Sequence, residues 1–380
     1  MIYLDNAATT AIKPQVVKDA LGVAINRFAA NPGRSGHKMS EDTAEAVYKS
    51  RKAVADFFGS TDETKVVFTQ NCTTALNMVM QGLLKSGDHI IISSMEHNAV
   101  LRPAHALKQK GIELDIAQVI FGDHEATVRS FEKMIKPNTK LIVCIHASNV
   151  LGYKLPIEKI GALANSRNIA FCVDAAQTAG VIPINMHGMN IDFLCIAPHK
   201  GLYCPAGLGV LIANTEKALE PIIQGGTGTL SADLNQPEDW PERLESGTIN
   251  TPAIATLKAA IDFINKQTMN KIHTHEMRLI GEAYHALSNI SQIDLYTPPP
   301  TTADFVPVLS FNIHDKTSEE VSSYLNSKGI AVRAGLQCAP LAHRSIGTID
   351  KGTVRISTSI FNTSREIEKF AHEIKNYVKL

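Results

Sequence analysis

Continuous apolar runs recur along the first part of the chain, at 65–69, 89–93, 140–146, 169–174, 193–197 and 209–213. Their lack of polar alternation is expected of strands covered on both faces. Between them lie longer stretches in which apolar residues return every three or four positions. In 40–58, Ala44, Val47, Val54 and Phe58 follow Ser40 at roughly helical spacing, and Ser is a favoured helix cap. Strand and helix patterns in alternation predict an α/β fold, a large domain with a mainly parallel sheet sandwiched by helices. From Pro252 the character changes: a helical run continues to Ser288, Pro298-Pro299-Pro300 follows, and 306–313 reads as a strand. The expected division is a large domain over 15–255 and a smaller α+β domain formed by 1–14 and 256–380, with a linking helix.

Composition narrows the field. A chain of 380 residues with 44% hydrophobic content can bury one large core and a second, smaller one. Thirty-seven basic residues balance 37 acidic ones without a basic cluster, so nucleic acid is not an expected partner. Neither a secretory leader nor an apolar run of membrane-spanning length is visible, which predicts a cytoplasmic protein without a membrane partner. The six cysteines, at 72, 144, 172, 195, 204 and 338, are scattered singly. That spacing suggests neither a disulfide framework nor a metal site, and Cys144, Cys172 and Cys195 sit inside apolar runs.

Two of the apolar runs end in residues with chemistry. Asp174 closes one, in Val173-Asp174-Ala175-Ala176-Gln177, and Lys200 lies 26 positions later, in Ala197-Pro198-His199-Lys200-Gly201. In a parallel sheet, ligands collect beyond the carboxyl ends of the strands, where Thr69, His97, His146, Asp174 and Lys200 would all lie. A lysine amine that condenses with an aldehyde, and a buried Asp that keeps a pyridine nitrogen protonated, are what pyridoxal 5'-phosphate (PLP) requires of a protein. Either residue alone reads as an ordinary strand-end Asp or a surface lysine; the pair at this spacing points to PLP. Asn71-Cys72-Thr73-Thr74-Ala75 follows a strand and opens a helix. Its amides and hydroxyls offer an anion seat for the cofactor phosphate, and serve equally as ordinary helix capping.

The order of motifs resembles the cysteine desulfurases of the class V aminotransferase family, fold-type I PLP enzymes. It runs from Tyr3-Leu4-Asp5-Asn6-Ala7-Ala8-Thr9-Thr10 through Asn31-Pro32-Gly33-Arg34-Ser35-Gly36-His37, Glu96-His97-Asn98 and His146-Ala147-Ser148-Asn149-Val150-Leu151-Gly152. Further on come Glu245-Ser246-Gly247-Thr248-Ile249-Asn250-Thr251, Arg355-Ile356-Ser357-Thr358 and Asn362-Thr363. The resemblance implies that His97 stacks on the PLP ring and shuttles protons, and that Gln177 and Asn149 hydrogen-bond its phenolic oxygen. It further implies that Thr73, Thr74 and His199 reach the phosphate, that Thr248 does so from a second subunit of a homodimer, and that Arg355 binds the substrate carboxylate with Asn149 and His37 nearby. Cys338, in Arg333-Ala334-Gly335-Leu336-Gln337-Cys338-Ala339-Pro340, stands where the family carries its sulfur-accepting cysteine.

Without a long Gly/Ser-rich insertion before Cys338, the chain resembles the short-loop desulfurases, which commonly need an acceptor protein. The implied reaction converts L-cysteine to L-alanine and leaves a persulfide on Cys338. Ala197 and Gln337 depart from the group, which usually carries Ser or Thr and His there. Ala197 offers no hydroxyl to the phosphate, and Gln337 removes a titratable neighbour of Cys338. The second reading is therefore a selenocysteine lyase acting on L-selenocysteine, ahead of a plain aminotransferase or a non-catalytic PLP scaffold.

Overall fold

The structure, a computed structural model, describes residues 1–33 and 36–379. In chain order the strands are β1 (Ile2–Tyr3), β2 (Val66–Thr69), β3 (His89–Ser93), β4 (Glu113–Ala117), β5 (Thr139–Ile145), β6 (Ala170–Asp174), β7 (Phe193–Ile196), β8 (Gly209–Ala213), β9 (Ile293–Leu295), β10 (Val308–Ile313), β11 (Ile330–Ala331) and β12 (Val354–Ser357). The helices begin with α1 (Gln15–Arg27), α2 (Lys38–Phe58), α3 (Cys72–Leu83), α4 (Asn98–Lys108), α5 (His124–Met134) and α6 (Ile157–Ser166). They continue with α7 (Thr251–Gln267), α8 (Met269–Ser288), α9 (Ser318–Ser327), α10 (Pro340–Ser345) and α11 (Ser364–Tyr377).

Seven strands form one sheet in the order β2-β8-β7-β6-β5-β3-β4. All neighbours are parallel except β8, which runs antiparallel to both β2 and β7. Two apolar clusters cover the two faces. One holds Phe171, Val173, Leu194 and Ile196 with helices α1, α2, α6 and α7; the other holds Cys172, Phe193 and Cys195 with α3 and α4. The alternation of neighbours such as Cys172 and Val173 between the clusters follows from the period of two in a strand. A separate antiparallel sheet, β12-β10-β9, packs with α8, α9 and α11 around Leu309, Phe311, Ile356 and Phe370.

Six strands of the large sheet fall within a residue or two of their expected positions. The resemblance implies a seven-stranded sheet, and the seventh strand, β4, is not located among the apolar runs because its exposed and half-buried Glu-Leu-Asp-Ile pattern is that of an edge strand. The run from Pro252 is two helices: the chain turns at Thr268, which has φ 67°, and α7 packs back on α1 and α2. α2 starts at Lys38, not Ser40; His37 Nδ1 accepts the Ser40 amide at 3.2 Å, while Ser40 is buried with its hydroxyl on the Asn31 carbonyl.

Two close approaches fix the segments that carry chemistry. A Cβ at Gly209 would lie 2.2 Å from the Asn71 carbonyl carbon, so β8 passes directly under the turn that opens α3. A Cβ at Gly201 would lie 2.4 Å from the Ala179 oxygen, which holds the Lys200 turn against the segment after β6.

Candidate active site

Asp174 and Lys200 meet because β6 and β7 are parallel neighbours, with Asp174 paired to Cys195. β7 ends at Ile196, and a turn closed by Lys200 N to Ala197 O (3.1 Å) and Tyr203 N to Lys200 O (2.9 Å) carries the lysine back over the strand end. Asp174 is 2% exposed. Its Oδ1 accepts the Ala176 amide (2.9 Å) and the Cys72 thiol (3.8 Å). Lys200 is half-buried, and its amine has no hydrogen-bond or ion-pair partner among the described residues. Burial lowers its pKa, with the Arg355 guanidinium adding to the shift and Asp174 opposing it.

Next to this pair, His97 caps α4, its Nδ1 accepting the Ala99 amide at 3.0 Å. Burial lowers its pKa, so the ring is neutral at pH 7 and carries its proton on Nε2. Glu96, fully buried, accepts the Ser93 hydroxyl and the Ile145 amide (2.8 Å). It thereby ties the end of β3 to the end of β5, and burial pushes its carboxyl up to about 8. Asn71 caps α3 through the Thr74 amide (2.9 Å), while the first amides of that helix have no intrahelical acceptor and are the groups that could hold an anion.

His199 lies in the Lys200 turn, with Nδ1 3.0 Å from the Thr9 hydroxyl. Burial and the amines of Lys200 and Lys13 take its pKa to about 4. Gln177 donates to the Ala7 carbonyl at 3.0 Å, which leaves its second N–H and its carbonyl for a ligand.

The small sheet brings the remaining groups from the opposite side. Arg355, on β12, is 3% exposed. Its Nη1 donates to the Asn149 carbonyl and its Nη2 to Asp5 Oδ1, both at 2.8 Å. Its Nε and the Asn149 Oδ1 are buried without a partner, so donors and an acceptor remain for a carboxylate or a ring substituent. Asn149 Nδ2 donates to the Gln337 carbonyl at 2.7 Å, which attaches it to the loop of Cys338. Cys338 is exposed, whereas the other five cysteines are buried. Its carbonyl accepts the Asn98 amide at 2.7 Å, next to His97.

Gln337 does not point toward the thiol. Its side chain is buried, donating to Thr353 O and accepting from His343 Nε2, both at 2.9 Å. Gln337 and Cys338 both have left-handed backbones, φ 42° and 58°. The glutamine thus holds the strained turn that presents Cys338, a role the sequence reading missed by treating it as a lost titratable neighbour.

Two expected groups are exposed in this chain. Thr248 is exposed, on a cleft of about 130 Å³ that also takes in Thr69 and Thr74. His37 is an exposed helix cap, and Arg34 and Ser35 of the same motif lie outside the described residues. Cys72 behind Asp174 and Asp5 beside Arg355 were not anticipated. Asp5 stands 350 positions from its partner, and no local pattern links them.

An orphan lysine amine beside a buried aspartate at the switch of parallel strands, an open helix N-terminus and an unsatisfied arginine fork fit PLP. Fold and site together define a fold-type I PLP-dependent enzyme. The sequence pattern of the class V aminotransferases matches residues 2–370, and the chain belongs to that family. Curated relatives include a probable cysteine desulfurase of Methanothermobacter thermautotrophicus, 31% identical over 97% of this chain and 92% of its own length. Another, from Pyrococcus abyssi, is 33% identical over 100% and 94%. Among solved structures, the apo cysteine desulfurase from Thermococcus onnurineus superposes with a TM-score of 0.91 at 33% identity, covering 100% of this chain and 94% of that one. The cysteine desulfurase CsdA from Escherichia coli gives 0.88 at 26%, covering 99% and 94%.

Proposed function

We propose that this chain is a PLP-dependent cysteine desulfurase that converts L-cysteine to L-alanine and takes the sulfur as a persulfide on Cys338. The observation that carries the reading is the position of the thiol: Cys338 is the exposed cysteine among six, hydrogen-bonded through its loop to Asn98 beside His97 and to Asn149 beside Arg355.

Bound at Lys200, PLP supplies a ring that accepts the electron pair released when the substrate Cα–H bond breaks. Asp174 keeps a proton on the pyridine nitrogen, as its burial behind Ala176 and Cys72 suits it to do. Lys200, its pKa lowered by burial, would take the Cα proton of the bound amino acid. Arg355 holds the α-carboxylate through the N–H groups that Asp5 and Asn149 leave free. His97 offers its Nε2 proton from the α4 side. The Cys338 thiolate attacks the substrate sulfur, the carbon–sulfur bond breaks, and the carbon skeleton takes up a proton and leaves as L-alanine. Cysteine and the enzyme thiol thus give alanine and the enzyme persulfide, with no external oxidant.

The wider reading is of a cytoplasmic homodimer in which Thr248 contributes to its partner's phosphate site, with an acceptor protein receiving the sulfur; no helix of the described residues is long and apolar enough to cross a membrane. The division into units of 15–255 and of 1–14 with 256–380 is part of the same proposal, supported by the separate apolar cluster of the small sheet. The deciding assay is alanine formation from L-cysteine and from L-selenocysteine, with Cys338→Ala alongside. Alanine from cysteine that disappears in the variant is the expected result. Alanine from selenocysteine alone would move the assignment to a selenocysteine lyase, and turnover that needs a keto acid and ignores the variant would make the chain an aminotransferase.

A further inference from the structure

Sulfur carried by Cys338 has to leave along the space beside that thiol, and this space has a definite chemistry. A groove of about 410 Å³ runs from Cys338 between α3 and α4, past His97, Asn77 and Gln81, to Arg102 and Lys110. We propose that it receives a carboxylate-bearing thiol as the sulfur acceptor, the carboxylates being read by Arg102 and Lys110. The inference rests on the desulfurase reading and specifies the charge of the acceptor that reading calls for.

Three observations carry it. The volume is that of a small-molecule site, shared at Thr73 and His97 with the expected cofactor seat. Arg102 and Lys110 are exposed, and neither forms an ion pair with a described residue. No carboxylate lines the groove among the described residues, and the sequence of α4, NAVLRPAHALK, contains none. In a chain whose acidic and basic residues balance, this leaves a positive wall facing the exposed thiol. Pro103 and Ala106 supply an apolar floor. Opposite charge in such a cleft raises the local concentration of an anionic acceptor and its rate of encounter.

The transfer balances without a co-reactant. The acceptor thiolate attacks the outer sulfur of the Cys338 persulfide, the bond between that sulfur and Cys338 Sγ breaks, and Cys338 leaves as thiolate. The new sulfur–sulfur bond is on the acceptor, and the proton of the persulfide travels with it.

A free mercapto acid and an acidic stretch flanking a protein cysteine share this chemistry, and the test separates them. PLP-loaded enzyme is charged with L-cysteine, freed of excess substrate, and its persulfide quantified. Discharge is then timed with mercaptosuccinate, 2-mercaptoethanol and cysteamine, and with hexapeptides whose cysteine is flanked by Glu or by Lys. Rates are expressed per thiolate and per persulfide.

The expected result is a rate at least tenfold higher for mercaptosuccinate than for cysteamine, or for the Glu peptide than for the Lys peptide. The preference should shrink in 0.5 M salt, vanish in R102Q/K110Q and reverse in R102E/K110E. Preference among free thiols alone identifies a small acceptor; preference among peptides alone identifies a protein segment. A persulfide that discharges without regard to charge, or a preference unchanged in both double variants, overturns the inference and leaves the desulfurase reading standing. Failure of the persulfide to form overturns both.

Discussion

Gln337→Met isolates how the Cys338 turn is held. Methionine matches glutamine in volume, so no cavity forms, but the bonds to Thr353 O (2.9 Å), from His343 Nε2 (2.9 Å) and from the Thr353 hydroxyl (3.3 Å) are all lost. The Thr353 carbonyl and the His343 N–H are then stranded in a buried site. At ~1–3 kcal/mol for each of these two unsatisfied groups, the turn loses ~2–6 kcal/mol of restraint. It also stores strain, since the left-handed backbones of Gln337 and Cys338 cost ~1–2 kcal/mol per residue. Restraint lost and strain stored are of the same size, so the turn relaxes and the thiol leaves its line of attack. If ~2 kcal/mol of that loss is felt when Cys338 attacks, alanine formation falls ~30-fold. Two controls accompany the rate. Iodoacetamide should alkylate Cys338 within ~3-fold of the wild-type rate, because the thiol is already exposed. The visible absorbance of lysine-bound PLP should be unchanged, because Lys200 and Asp174 sit on other elements. Alanine formation within ~3-fold of wild type, with both controls satisfied, would refute the claim that the glutamine positions the nucleophile.

Lys200→Ala is expected to abolish the visible band of bound PLP; a retained band that borohydride leaves unchanged would exclude this lysine as the attachment point. Arg355→Lys removes the forked donor from a site that is 3% exposed. Loss of one bidentate contact is worth ~1.5–3 kcal/mol, so KM for cysteine should rise ~10–100-fold while PLP occupancy holds. Thr248→Ala should weaken PLP retention if that residue serves a neighbouring subunit, and normal occupancy at limiting PLP would leave that contact unsupported. Stability should fall between pH 6.5 and 8. Burial raises Glu276 from 4.5 to about 8, so its contribution is fully present below 4.5 and lost as pH rises through 8; Glu96 behaves alike. The buried histidines His146, His199 and His343, lowered to between about 3 and about 4, act in the opposite sense and only below 6.5. Glu276→Gln should therefore flatten the urea midpoint over pH 6.5 to 8 by up to ~1.4 kcal/mol per pH unit, and an unchanged slope would show the carboxyl to be ionised in the folded state.

Much of this protein is written locally. Continuous apolar runs announce strands buried on both faces, and the chemistry at their ends, Asp174 and Lys200, is visible because parallel strands place consecutive carboxyl ends on one edge. Cys338 lies in a glycine-bearing loop and not in an apolar run, and its role is legible through the resemblance of that segment to the desulfurases. The edge strand β4 and the reversal at Thr268 escape such a reading, because half-exposed strands lack a continuous apolar run and a helical period continues across a single left-handed residue.

What tertiary structure alone decides is which groups are already engaged and which are free. Asp5 and Arg355 are 350 positions apart, and only the pairing of the small sheet with the chain's first residues brings them together. Gln337 reads as a lost titratable group beside Cys338 until its side chain is found turned toward His343 and Thr353. Cys72 sits in a helix-capping motif, yet its thiol lies against Asp174 because α3 packs over β6 and β7. Sequence sets the residue types and their periods. Hydrogen-bond partners, burial and the shifts that follow depend on contacts between segments far apart in the chain, and those are settled only when the sheets and helices close around one core.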